Sequence, residues 1–347
     1  MKPQNIQPDQ NSIPVFESRI AGETDVWMTS CAGIFGIAPL NQDDTKNHFR
    51  ASSWFVDPIT ISNTRYSGMV AQRTNWHVEE AGGQIHMHRY ALGRASVETD
   101  GLPIECDSGA ITLLDYARPF RSIHTENECE SFFVPHSAIN YRPSNAPHAP
   151  VYSAQSVMGR LLGQEMDTLL SVLRGGARFI APDDIRRFLG CVEMAMSPET
   201  ASDGARIRLR ESMKRAIMVF IEERLASPDI CVTMVLKNFG LSRASLYRLF
   251  EAEDGVRSYI SRRRLYRAVS DLAEAPHQRG HIHKVSERWG FSSDASFNRM
   301  VKREFGLTPG ALFGMPMTIP ESTLRSSVVS ELMWQAARSD SLEMATA

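Results

Sequence analysis

Two stretches of the chain repeat one another: FGLSRASLYRLF, Phe239 to Phe250, and WGFSSDASFNRMV, Trp289 to Val301, about fifty residues apart. In each copy a short apolar helical pattern (Val232 to Phe239; Ile282 to Trp289) runs into a glycine, an apolar residue and a serine. Gly240 and Gly290 permit the left-handed backbone that ends a helix, and Ser242 and Ser292 are placed to N-cap the next one. A tight glycine turn between two short helices is the local pattern of a helix-turn-helix. One such pattern is common in all-α proteins. Two at a fixed spacing, each followed by a further glycine (Gly255, Gly306) and separated by a helical stretch from about Arg257 to Ala273, predict an all-α domain of two units joined by a long helix.

Helical periodicity sorts the second helix of each unit into two faces. Leu246, Leu249 and Phe250 stand at i, i+3 and i+4 and must face a core, as must Phe297, Met300, Val301 and Phe305. The opposite faces carry Arg243, Ala244, Tyr247 and Arg248 in the first copy and Asp294, Ala295, Asn298 and Arg299 in the second. These side chains suit base edges: Arg pairs with guanine, Asn with adenine, Asp accepts from cytosine, and Ala or Tyr touches a thymine methyl. Around them Arg262, Arg263, Arg264, Arg267, Lys284, Arg288, Lys302 and Arg303 are candidate phosphate contacts. The formal charge of the whole chain, -2, hides an asymmetry. Residues 206–315 hold 20 Lys and Arg against 12 Asp and Glu, while the remainder holds 18 against 28. A basic segment joined to an acidic one is expected of a polyanion-binding domain with a partner domain.

The second unit, GFSSDASFNRMVKREFGLTPGAL from Gly290 to Leu312, resembles the most recognisable segment of the AraC/XylS family of bacterial regulators, including Phe305-Gly306 and Pro309. The resemblance spans about 110 residues. It implies a seven-helix DNA-binding domain whose two recognition helices enter successive major grooves on one face of the duplex, about 34 Å apart. It departs from the family pattern at Leu236, where the family has Ala against the turn; Ser286 holds the equivalent place in the second copy.

From about Val15 to Tyr141 short apolar runs alternate with period two, as in Met69 to Ala71, Gln84 to Leu92, Ala95 to Glu98 and Gly109 to Leu114. Turn signals lie at Gly82-Gly83, Asp100-Gly101 and Asp107-Ser108-Gly109, and the pattern predicts a small barrel or sandwich. Proline-rich Asn140 to Pro150 closes the region. Two helical stripes follow: Met158, Leu162, Met166, Leu169 and Leu173, stopped by Gly175-Gly176, and then Ile185, Phe188, Leu189, Val192 and Met196 with Asp183 as N-cap. Either they cover the β region or the first is a dimer seam. The expected organisation is α+β: 1–14 unstructured, 15–145 a β domain, 146–196 a helical dimerisation or linker region, 197–205 a polar linker, 206–315 the DNA-binding domain and 316–347 a tail with no assigned role.

The β region resembles the cupin-like sensor barrel of one branch of the same family, best over Ile104 to Ile139 with the Pro119-Phe120 turn and FFVPHSAI. That resemblance implies a small organic effector, promoter DNA and RNA polymerase as partners, a homodimer, and an activator in the bacterial cytoplasm at the nucleoid. The effector-binding residues cannot be read from the sequence. His86-Met87-His88 places both imidazoles on one side of a strand, as in metal-binding cupins, but Ala91 and Leu92 stand where the carboxylate would be. No metal and no cofactor are therefore expected, and the two histidines read as ordinary strand residues on a pocket wall. Trp27, Trp54 and Trp76 read as core or interface residues. The start of the chain, MKPQNIQPDQNSIP, lacks an apolar signal, no run is long enough for a membrane span, and Cys31, Cys106, Cys129, Cys191 and Cys231 are scattered as reduced thiols. No catalytic constellation stands out, which sets a cupin-type enzyme fused to a DNA-binding module below a regulator. The missing cysteine cluster argues likewise against a DNA-repair methyl acceptor. A regulator whose barrel only dimerises stays open.

Overall fold

The computed structural model describes residues 12–23, 28–29, 31–40, 48–81, 83–99, 101–143, 149–274 and 280–313. The expectations for most of 1–14, for Trp27 and for the 316–347 tail lie outside these residues. The chain divides into two compact units, 1–212 and 213–347.

Among the described residues the first unit is built on thirteen antiparallel strands: β1 Ile13–Glu23, β2 Gly36–Pro39, β3 His48–Val56, β4 Ile59–Tyr66, β5 Met69–Arg73, β6 Gln84–Leu92, β7 Ala95–Thr99, β8 Leu102–Cys106, β9 Ile111–Asp115, β10 Phe120–His124, β11 Asn127–Pro135, β12 Val151–Tyr152 and β13 Phe179–Ile180. They form an eight-stranded sheet, β12-β9-β6-β11-β4-β3-β1-β13, and a five-stranded sheet, β2-β5-β10-β7-β8. The expected barrel is thus two separate sheets among the described residues. A short helix, α1 Asn75–Ala81, follows β5, with Trp76 exposed rather than in a core.

The large sheet is covered on both faces, which explains why β9 is buried at every position and β11 at six of its nine. One face, with Ile85, Met87, Leu113, Phe132 and Val134, packs on helices α2 Val157–Arg174 and α3 Pro182–Met196. The alternate positions, Tyr90, Leu114 and Cys129, pack with Met69, Ala71, Val97 and Phe120 of the small sheet. Trp54 belongs to the helix-side core, as expected. Leu162, Met166, Leu169 and Leu173 of α2 are buried against their own chain, so this stripe is core and not an open dimer seam. Helix α2 is N-capped by Ser156, which accepts from the Gly159 N–H at 3.0 Å, and it ends at Gly175 with Gly176 at φ 78°. The N-cap of α3 is Ala181 with Pro182 at the first turn, so Asp183 is not the cap; it pairs with Arg186 at 2.6 Å instead. The segment expected as a polar linker is partly ordered by its own chain. The Ser202 N–H donates to Glu193 Oε1 at 2.6 Å, and helix α4 Asp203–Glu223 starts directly after it.

The second unit contains α5 Val232–Phe239, α6 Arg243–Leu249, α7 Val256–Glu274, α8 His281–Arg288 and α9 Asp294–Phe305. Helix α7 is the expected long connector. Its buried Leu265, Ala268, Val269 and Leu272 share a core with Val285, Phe297, Val301 and Leu312. No helix among the described residues is long and apolar enough to cross a membrane.

Candidate nucleic-acid interface and internal cavity

Each short helix pair is closed by a glycine in the left-handed region. Gly240 has φ 62° and donates its N–H to Leu236 O, and the Leu241 N–H follows to the same carbonyl at 3.2 Å. Gly290 has φ 70°, and the Phe291 N–H reaches Ser286 O at 3.0 Å. Ser242 caps α6, its hydroxyl accepting from the Ser245 N–H at 3.1 Å. In the second unit the cap is Ser293, accepting from the Ser296 N–H at 3.2 Å, one residue later than the Ser292 that the repeat alignment suggests. Either serine satisfies the sequence pattern; the extended backbone at Ser293 decides between them.

The helical faces emerge as the periodicity demands. Leu246 and Phe250 are fully buried under α6, while Arg243, Ala244, Tyr247 and Arg248 are exposed. Under α9, Phe297 and Val301 are fully buried, and Ala295, Asn298 and Arg299 are exposed. Asp294 is different. Its carboxylate accepts from the Ser286 hydroxyl at 2.5 Å and faces His283 Nδ1 at 3.1 Å, contacts that hold its pKa below the ordinary carboxylate value. It ties α8 to α9 and is not a free acceptor for a base. Leu236, in the corresponding place of the first unit, has no hydroxyl to make such a tie.

The basic residues also divide. Arg262 and Arg267 are part-exposed, and Lys284, Arg288, Lys302 and Arg303 are exposed. Arg263 is not: it is buried, and its guanidinium donates to Glu222 through Nε at 2.5 Å and Nη2 at 3.0 Å. Arg264 donates to the carbonyls of Leu225 and Ser227 at 3.0 and 2.7 Å, satisfying backbone acceptors just after α4. Both are removed from the phosphate set, because the Arg263 guanidinium is buried and that of Arg264 is held on backbone carbonyls.

The first unit holds a cavity of about 390 Å³ between its two sheets. Its lining includes His86, His88 and Tyr90 of β6, Tyr66 of β4, Tyr116, His124 of β10, and Ser131 and Phe133 of β11. His86 stacks on Phe133, ring centroids 4.5 Å apart and 6° from parallel, and its Nδ1 lies 2.8 Å from the Tyr116 hydroxyl. His124 is bonded at both nitrogens, to Tyr66 OH at 3.1 Å and Ser122 Oγ at 2.8 Å. Burial pushes His86 down to about 3 and His124 to about 4, and His88 well below its ordinary value, so all three are neutral imidazoles near pH 7. Both β6 histidines do face one side, as the strand period requires. Among the described residues no group of three or more His, Cys, Asp or Glu is arranged to hold a metal ion. The alternation of β6 signals its two histidines, whereas nothing local marks Tyr116 or His124, which sheet pairing brings alongside.

A family profile described as a helix-turn-helix domain matches residues 235–314. Over 304 residues the chain is 24% identical to the transcriptional activator NphR of Rhodococcus sp, an alignment covering 82% of this chain and 87% of that protein. Over 117 residues it is 29% identical to the probable transcription factor PqrA of Proteus vulgaris, covering 33% of this chain and 93% of that one. Among solved structures, the AraC-like transcriptional activator CuxR aligns with 72% of this chain and 95% of its own at 18% identity and a TM-score of 0.46. The helix-turn-helix match together with the similarity to transcription regulators makes this a DNA-binding transcription regulator. More particularly, the chain carries a helix-turn-helix domain over residues 235–314 and is similar over most of its length to a transcriptional activator.

Proposed function

We propose that the chain activates transcription from a specific promoter when a small organic molecule occupies the cavity of its cupin-like N-terminal unit. Base readout is assigned to Arg243, Ala244, Tyr247 and Arg248 on α6 and to Ala295, Asn298 and Arg299 on α9. Arg262, Arg267, Lys284, Arg288, Lys302 and Arg303 hold phosphates. A cytoplasmic homodimer acting on RNA polymerase completes this reading. The observation that carries the sensor half is the partly open cavity of about 390 Å³ between the two sheets, a volume suited to a small ligand. A β domain serving only for dimerisation would have no use for such a space, and this favours the sensor over the scaffold.

The test is genome-wide mapping of bound sites, followed by promoter binding and reporter transcription with the intact chain and a cavity-filled variant, Ser131→Phe. Discrete promoter sites, with inducible transcription lost in the filled variant, are expected. Binding without sequence preference would overturn the regulator reading, and unaltered induction in a folded Ser131→Phe chain would overturn the sensor reading.

A further inference from the structure

We infer that the cavity is built for an uncharged, planar aromatic molecule carrying one hydroxyl or carboxamide group, with its ring among the aromatic walls and its polar group on His86 and His88. This rests on the sensor reading above and specifies the chemistry of its ligand.

Charge is the first constraint. Among the described residues no Asp, Glu, Lys or Arg lines the cavity. The three histidines that do are held neutral by burial, so none supplies a positive charge near pH 7. The neighbouring guanidinium, Arg73, sits over the Tyr116 ring at 5.0 Å, does not line the space, and donates to the carbonyls of Tyr116 and Ile34. A carboxylate or ammonium entering here would lose its water with no counter-charge in the lining.

Shape is the second constraint. One side of the cavity is built of ring faces and edges, the parallel His86–Phe133 pair, Tyr116 at 5.1 Å from His86 and Tyr90 at 4.9 Å from His88, while small aliphatic and hydroxyl side chains also contribute to the lining. Flat rings fill such walls with offset-stacked and edge contacts. The lining extends to Ile20 and Phe55, both exposed, which makes the approach apolar as well.

Unspent hydrogen bonds are the third constraint. His86 Nε2 and both nitrogens of His88 are buried without a partner among the described residues. A neutral imidazole has one N–H donor and one acceptor nitrogen. His86 Nδ1 is engaged by the Tyr116 hydroxyl, so Nε2 offers the complementary role, while His88 offers one donor and one acceptor. A group that both accepts and donates matches this set. A hydroxyl or carboxamide does so; a bare hydrocarbon does not.

The experiment uses the purified full-length chain and four probes on one ring system: 2-naphthol, 2-naphthamide, 2-naphthoate and naphthalene. Binding is measured by calorimetry and by the shift of the melting midpoint. The naphthol and naphthamide are expected to bind at least tenfold tighter than the naphthoate and to exceed naphthalene. In His88→Leu that preference over naphthalene should vanish, and in His88→Gln, which keeps a donor and an acceptor, it should persist. Equal or tighter binding of 2-naphthoate overturns the inference, as does a folded His88→Leu chain with its preference intact, or no binding by any probe. In each of these cases the sensor reading still stands, because it falls only if the Ser131→Phe chain keeps normal induction in cells.

Discussion

The guanidinium of Arg263 closes on the carboxylate of Glu222 in a two-pronged contact, 2.5 and 3.0 Å, between side chains 6% and 1% exposed and 41 residues apart in sequence. The pair fastens α7 to the end of α4 beneath the surface of the C-terminal unit. Removing Arg263 leaves the buried Glu222 carboxylate with only the more distant, part-exposed Arg267, 3.4 Å away, as counter-charge. Arg263→Ala should therefore lower unfolding stability by about 3–5 kcal/mol in urea titration. The slope of promoter affinity against salt concentration should stay as in the parent, since no phosphate contact is lost. A smaller slope with unchanged stability would return Arg263 to the phosphate set.

Arg299 and Lys302 lie on one helix three residues apart, both exposed, and should differ in kind. Arg299→Ala is expected to weaken binding to the cognate promoter by about 1–3 kcal/mol and to relax preference at one position. Lys302→Ala should weaken cognate and random duplexes about equally and reduce the salt slope by about one. Fluorescence anisotropy on both duplexes at several salt concentrations separates the outcomes, and no loss of affinity in either variant would contradict the placement of α9 on DNA.

Gly290 and Gly306 share nearly the same left-handed backbone, φ 70° and 71°, but not the same surroundings. A Cβ on Gly306 meets nothing within 4 Å, whereas one on Gly290 falls 3.0 Å from Arg264 Nη1, in the guanidinium that holds the carbonyls of Leu225 and Ser227. Gly306→Ala should cost about 1–2 kcal/mol from backbone strain alone. Gly290→Ala should cost more, because Arg264 must shift as well. Thermal melts of the two variants check the order.

Acid should weaken the N-terminal unit before its carboxylates titrate. Burial lowers His86 to about 3 and His124 to about 4, both below the unfolded value near 6.5. As pH falls below about 6.5 the unfolded chain takes up protons that the native imidazoles refuse, so native stability drops. For His124 the loss runs down to about pH 4, at about 1.4 kcal/mol per pH unit when fully expressed. Melting midpoints between pH 7 and 4.5 should decline, and His124→Gln should flatten the decline. An unchanged profile in that variant would show that His124 is not buried neutral.

Much of this molecule was legible in the sequence where the information is local. Strand β6 begins and ends at Gln84 and Leu92, the bounds that alternation suggested, and Gly240, Gly290 and Ser242 perform the turn and cap roles that the repeat implied. The consecutive arginines 262, 263 and 264 were not separable in this way. Each step along a helix turns by about 100°, so the three point in different directions. Arg262 reaches nearby Asp254, whereas what Arg263 and Arg264 meet lies in and just after α4, some forty residues earlier in the chain. Asp294 fails as a base contact for a similar reason, because Ser286 of the preceding helix reaches it first.

Sequence by itself determined the tandem helical units, the buried and exposed faces of their second helices, and the strand period of the N-terminal unit, because these follow from the fixed geometry of helix and strand. Tertiary structure decided what contacts between distant segments control. It turned an expected barrel into two stacked sheets, spent the α2 stripe on the large sheet, withdrew Arg263 and Arg264 into the interior, and set His86, His88, Tyr116 and His124 around one cavity. Burial and pairing depend on neighbours that no local spacing encodes, and so the exposed faces of the second helices could be named from the repeat while the chemistry of the cavity had to wait for the fold.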